Sequence, residues 1–233
     1  MDAASARVFV FAGHYGSGKT NLAVNWALRL RETGRPVLLA DLDVVNPYFR
    51  AEDSRRVLEA HGVELIASPF ANSNVDVPSL PQEAYAICDR RDAFAVADVG
   101  GDERGATALG RYAPGIADEA AYEMLFVFNG LRPLTRDVSG AMQVLGEIER
   151  VARLPFTGVV NNTNLGTETT AETVLASTAL AEQVARAAGL PLVATAARSE
   201  IIPALRGKID NLFPIQITQR QDVPFLEEQV WQR

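Results

Sequence analysis

The segment Gly13-His14-Tyr15-Gly16-Ser17-Gly18-Lys19-Thr20 joins an apolar run at 7–12 to a stretch at 19–32 in which Leu22, Trp26 and Leu30 recur every fourth position. This is the pattern G-x-x-x-x-G-K-[ST] in its strand-then-helix setting, a Walker A phosphate-binding loop. It narrows the folds open to the chain to those in which a strand delivers a tight glycine loop to a helix N-terminus. Glycines let the backbone curl until several N–H groups converge on phosphate oxygens, and the helix dipole adds positive potential there. Gly13, His14, Tyr15, Gly16, Ser17, Gly18, Lys19 and Thr20 are therefore the expected nucleotide-binding residues. Lys19 is expected to neutralise the phosphates, and the Thr20 hydroxyl to ligate magnesium.

The remaining chain alternates short apolar runs with longer segments of helical period, the signature of a parallel sheet covered on both faces. Strands are predicted at 7–12, 36–40, 63–66, 94–97, 124–128, 157–161 and 190–193, and helices at 19–32, 51–61, 79–90, 136–152 and 170–188. The first two helices run into Gly34 and Gly62, residues suited to a left-handed helix end. The expectation is an α/β chain, a three-layer P-loop NTPase fold with a mostly parallel sheet of about seven strands, in one domain over 1–233. A hydrophobic content of 48% is ample for one large core. Two irregular stretches, 68–78 and 100–117, follow strand ends, where open α/β sheets bind ligands, and read as lids or partner surfaces.

Carboxylates stand at two other strand ends. Asp98 closes an apolar run and precedes Val99-Gly100-Gly101, which resembles a Walker B end that holds magnesium and lets a backbone N–H approach the γ-phosphate. The same aspartate could instead cap the following helix. Asp41 and Asp43 sit at i and i+2, on one side of an extended segment, so that one can join the metal shell while the other orients water.

Bulk properties exclude several classes. A net charge of −7 supplies no diffuse cationic field, and neither nucleic acid nor a membrane is expected as a partner. One cysteine, Cys88, rules out an internal disulfide framework and a Cys-rich metal site within one chain. No signal sequence or membrane-length apolar run is present, so a cytoplasmic protein is expected.

Strand, P-loop, helix, then Leu38-Leu39-Ala40-Asp41-Leu42-Asp43, Asp98-Val99-Gly100-Gly101 and Val159-Val160-Asn161-Asn162 together resemble the CobQ/CobB/MinD/ParA nucleotide-binding family of P-loop ATPases. The run from Asp43 to Arg50 is similar to a bacterial subgroup that lacks the second P-loop lysine, and it narrows the family without assigning a task. The resemblance implies that Asp43 positions the attacking water, that Asp41 and Asp98 belong to the magnesium shell, and that Asn161 lies beside the base. Asn164 falls where GTPases place a carboxylate that accepts two hydrogen bonds from guanine; an amide cannot, which favours adenine. Relatives carry their second lysine where this chain has His14, so a cation acting across a dimer is in doubt here. Tyr48, Phe49 and Arg50 read either as a partner-contacting switch or as a Pro-led turn. Arg132, after a further strand end, reads most simply as a surface arginine, with approach to phosphate or a partner as the alternative.

The expected function is a slow ATPase, dependent on Mg2+ and ATP, that acts as a nucleotide-dependent switch for a client protein, with a homodimer as one arrangement. Lys19 and Asp43 are its expected catalytic residues, Asn161 and Asn164 its base contacts, and Thr20, Asp41 and Asp98 its metal ligands. Three alternatives stand beside it: a GTPase metallochaperone, an ATP-dependent small-molecule kinase or ligase, and a nucleotide-gated assembly factor with negligible hydrolysis.

Overall fold

The computed structural model describes residues 6–43, 51–67, 82–119 and 121–217. Eight strands lie within them: β1 Val8–Ala12, β2 Val37–Leu42, β3 Val63–Ile66, β4 Phe94–Val99, β5 Tyr122–Phe128, β6 Gly158–Asn161, β7 Leu192–Arg198 and β8 Leu212–Ile215. They form one sheet in the order β3-β2-β4-β1-β5-β6-β7-β8, and every pairing is parallel. Strands buried on both faces need apolar residues at every position, which is why the runs read as continuous rather than alternating.

The two faces still separate by parity. Val8, Val10 and Ala12 of β1 join one core cluster, and Phe9 and Phe11 join the other. The Phe9/Phe11 face is covered by α1 Lys19–Arg31 and α2 Arg55–Ala60. The opposite face is covered by α3 Ala86–Asp89, α4 Glu103–Gly110, α5 Ala113–Ala117, α6 Val138–Ala152 and α7 Ala171–Ala188. A short α8, Ile202–Leu205, packs with Val174 of α7 in a smaller cluster. The fold is thus the three-layer α/β P-loop arrangement that the sequence predicts.

The sheet holds one strand more than expected. Pro214 argues against a central strand, but β8 is the edge, where a missing N–H costs no ladder bond. What fixes β8 is tertiary: Phe213 stacks on Trp26 at 4.7 Å between ring centroids, and Phe9 and Phe11 flank the same indole. Burial of a side chain such as Phe213 contributes roughly 1.5–3 kcal/mol.

The stretch 100–117, expected to be irregular, carries α4 and α5. Glycines at 105 and 110 and Pro114 lower its helical propensity, yet the Asp102 side chain caps α4 by accepting from the Gly105 N–H at 2.9 Å. Leu109 and Ile116 are fully buried and hold the two helices down. The helix predicted at 51–61 begins as a 3-10 turn, Ala51–Ser54, before α2. Of the helix predicted at 79–90, Gln82–Tyr85 is a 3-10 turn and Ala86–Asp89 is α3. The stretch 68–78 lies outside the described residues, as do Tyr48, Phe49 and Arg50. No described helix is long and apolar enough to cross a membrane.

Candidate functional site

The loop from Gly13 to Gly18 connects β1 to α1 at the carboxyl edge of the sheet. Gly18 ends it with φ +81°, a left-handed conformation, and a Cβ there would lie 2.4 Å from Nδ2 of Asn162, so glycine is required twice over. Lys19 opens α1 and is buried, its Nζ 3.4 Å from the His14 carbonyl oxygen. Burial pulls the Lys19 ammonium below its ordinary value, opposed by the charges of Asp98, Asp43 and Asp102.

Both sequence-selected strands run past their predicted ends and carry their aspartates into the ladder. Asp41 of β2 and Asp98 of β4 are register partners across that pairing. Parity turns both toward the α1 face, since Leu39 and Val96, two residues earlier in each strand, belong to the cluster under α1. Asp43 follows just beyond β2, with its N–H donating to Oδ1 of Asp41 at 3.0 Å. The Gly100-Gly101 turn seals the group. A Cβ on Gly101 would meet the Tyr15 backbone N at 2.6 Å and Lys19 Nζ at 2.9 Å, and one on Gly100 would meet Asp43 Oδ1 at 3.0 Å. Lys19, Thr20, Asp41, Asp43 and Asp98 are thereby brought to one place.

Asp98 is the least compensated member. Both of its carboxylate oxygens are buried and neither completes a hydrogen bond of normal geometry, although the Thr20 hydroxyl lies close enough to favour the charged form. Burial pushes its carboxyl well above the usual carboxylate range; Lys19 and the Thr20 hydroxyl pull it back, and Asp43 pushes it further up. A buried carboxylate in this condition is costly unless something cationic completes it. Magnesium fits: it keeps several waters, takes one or two carboxylates plus phosphate oxygens, and needs no closed protein cage. No cluster of three or more His, Cys, Asp or Glu with ligating geometry occurs among the described residues.

The asparagine run corrects one expectation. Asn161 is fully buried and faces the α7 side, with Nδ2 donating to Ser177 Oγ at 2.8 Å and Oδ1 accepting from the N–H and hydroxyl of Thr163. It braces the loop from behind rather than lying beside a base. Asn162 turns to the α1 face and donates to the Ser17 carbonyl at 2.7 Å. Strand parity was the available signal, since Val160 already points to the α1 side. Asn164 does line a narrow cavity of about 60 Å³ beside Gly18, together with Asn21, Ala197, Arg198 and Ile217.

Other residues were not among those expected. Asp102 adds charge near Lys19. Arg198, at the end of β7, donates from Nη2 to the Thr169 carbonyl at 3.2 Å and has a buried Nε without a partner. Arg132, read from the sequence as a surface arginine with approach to phosphate or a partner as the alternative, is exposed, and its Nε donates to the Gly16 carbonyl of the P-loop at 2.9 Å.

No protein-family model matches the chain, and no curated protein does. Solved structures do. The cell division protein FtsY of Thermotoga maritima aligns with TM-score 0.58 and 20% identity over 82% of this chain and 62% of its own. FtsY of Mycoplasma mycoides aligns with TM-score 0.58 and 18% identity over 82% of this chain and 59% of its own. The signal recognition particle 54 kDa protein of Aeropyrum pernix K1, solved in complex with GDP, aligns with TM-score 0.55 and 16% identity over 84% of this chain and 42% of its own. This chain thus spans about three fifths or less of each. What is shared at these identities is the P-loop α/β fold; the narrower CobQ/CobB/MinD/ParA resemblance rests on the sequence motifs alone.

Proposed function

We propose that the protein binds a magnesium–nucleoside triphosphate, ATP by preference, and hydrolyses it slowly as a switch read by a partner. The carrying observation is the buried Asp98 carboxylate, flanked by Lys19 and the Thr20 hydroxyl without a hydrogen bond of normal geometry, and in register with Asp41. Thr20, Asp41 and Asp98 would hold the metal, directly or through water, and Lys19 would meet the β- and γ-phosphates; the metal would supply positive charge against that developing on the phosphoryl group. Asp43 orients the attacking water next to the Gly100-Gly101 turn.

The adenine preference rests on Asn164. Its Nδ2 donates to the Asn162 carbonyl and its Oδ1 accepts from the Gly166 N–H, leaving one N–H and one lone pair for a base edge. One donor beside one acceptor matches the N6/N7 edge of adenine. A guanine-specific reading stands second, on the one observation that the structurally similar signal recognition particle protein was solved with GDP. Competition between ATP and GTP in an equilibrium titration separates the two.

A partner is supported by the exposed apolar side chains of Tyr15, Leu131, Leu134 and Leu165, all on loops at the carboxyl edge of the sheet. A second copy of the chain and an unrelated client both fit this rim. With His14 where the MinD and ParA relatives have lysine, a contribution from a second copy would not come through that position. Asp43→Ala is expected to bind ATP normally while turnover falls by about 100-fold or more. Full turnover in that variant contradicts the role given to Asp43.

A further inference from the structure

We infer that Arg132 is a phosphate-binding residue that reads the γ-phosphate from within the same chain, an inference that rests on the nucleotide-binding reading above. The guanidinium lies directly on the P-loop. Its Nε donates to the Gly16 carbonyl at 2.9 Å, and a Cβ built on Gly16 would stand 3.1 Å from Nε and 3.4 Å from Cζ. Among the described residues the two terminal nitrogens have no hydrogen-bond partner, so four N–H groups of a permanent cation remain unspent at the loop.

The arginine is held there by its own loop. The Asn129 carbonyl accepts from the Arg132 N–H at 3.1 Å and from the Thr135 hydroxyl at 2.7 Å, and Asn129 Oδ1 accepts from the Leu131 N–H at 3.0 Å. The Gly130 N–H donates to Thr163 Oγ1 at 3.0 Å, and that hydroxyl is fixed in turn by Asn161. A side chain kept on a carbonyl by a braced loop is preorganised for whatever binds beside it.

Position along the loop selects the phosphate. Backbone N–H groups at the start of α1 cradle the inner phosphates, while the lysine reaches outward to the last two. The Lys19 Nζ end of the site is bounded by Tyr15 and Gly101, and Gly16 adjoins Tyr15. Charge argues the same way. Asp43, Asp98 and Asp102 bear on Lys19, and Asp41 pairs in register with Asp98, so a triphosphate brings further negative charge to a site in which Lys19 is the only lysine or arginine of the P-loop itself. Arg132 supplies the second cation, and an arginine matches phosphate geometry with paired N–H groups.

The test is equilibrium titration of the full chain with Mg-ATP and Mg-ADP, or Mg-GTP and Mg-GDP if guanine is preferred, on wild type, R132A, R132Q and R132K. R132A is expected to lose the preference for triphosphate over diphosphate by on the order of tenfold. R132Q keeps an N–H for the Gly16 carbonyl without the charge and is expected to lose the preference likewise; it serves also if R132A fails to fold. R132K, which keeps the charge but not the paired N–H groups, is expected to retain part of it. Equal weakening of both nucleotides in R132A and R132Q, or no change in either, overturns the inference and leaves Arg132 a structural clamp. Failure of the wild type to bind any nucleotide overturns the parent reading instead.

Discussion

In the proposed site the chemistry turns on Asp98. Its carboxyl is held well above the usual range chiefly by burial, and a metal needs it ionised. The sign follows directly: lowering the pH from neutral into the mildly acidic range protonates Asp98 while exposed carboxylates stay charged, so Mg2+-nucleotide affinity falls. The same raised value favours the folded apoprotein below it, and that contribution is lost as the pH rises through it. Asp98→Asn, which removes the buried charge, is expected to raise apoprotein stability at neutral pH, to lower Mg-nucleotide affinity by about tenfold or more, and to remove most of its dependence on pH. Calorimetric titration between mildly acidic and neutral pH checks this, and an unaltered pH profile in the variant contradicts it. At this scale the sequence was informative wherever spacing dictates chemistry. The loop from Gly13 to Thr20 and the aspartates at 41, 43 and 98 were identified from type and position alone, and the structure brings them together.

At the scale of elements, β6 shows what decided the less legible part of the site. Asn161 and Asn162 are adjacent and chemically identical, and only the face of the strand separates their roles. Asn162→Ala removes the hydrogen bond to the Ser17 carbonyl and is expected to cost about 1–2 kcal/mol of stability and to weaken Mg-nucleotide binding. Asn161→Ala is expected to lower the thermal midpoint while leaving the ATP-to-GTP affinity ratio unchanged. A changed ratio in the Asn161 variant, measured by competition, would put that side chain at the base after all. Elements whose formation depends on tertiary packing were the ones the sequence concealed. Strand β8 contains a proline and depends on Phe213 meeting Trp26, and α4 and α5 contain the glycines and proline that local propensity penalises. Arg132 was named from the sequence, but its contact with Gly16 was not legible there, because the two residues lie 116 positions apart in the chain.

For the whole molecule, a doubly covered parallel sheet puts every functional group at one edge. The P-loop leaves β1, Asp41 and Asp43 leave β2, Asp98 ends β4, Arg132 follows β5, Asn162 follows β6 and Arg198 ends β7. Ligands bind at this carboxyl edge in open α/β sheets, and in this molecule the segments after β1, β5 and β6 carry the exposed apolar side chains of Tyr15, Leu131, Leu134 and Leu165 there. The alternation of apolar runs with helical segments made that architecture readable in advance, down to which strand delivers the phosphate loop. The identity of a partner has no such local signature, since it is a property of a surface assembled from separate loops. The most direct measurement is a calorimetric titration of the protein with ATP, with and without Mg2+, on wild type and Lys19→Ala. Binding that requires magnesium and disappears with Lys19 is the expected result. Affinity that is indifferent to both magnesium and Lys19 would contradict a phosphate-binding role for this loop.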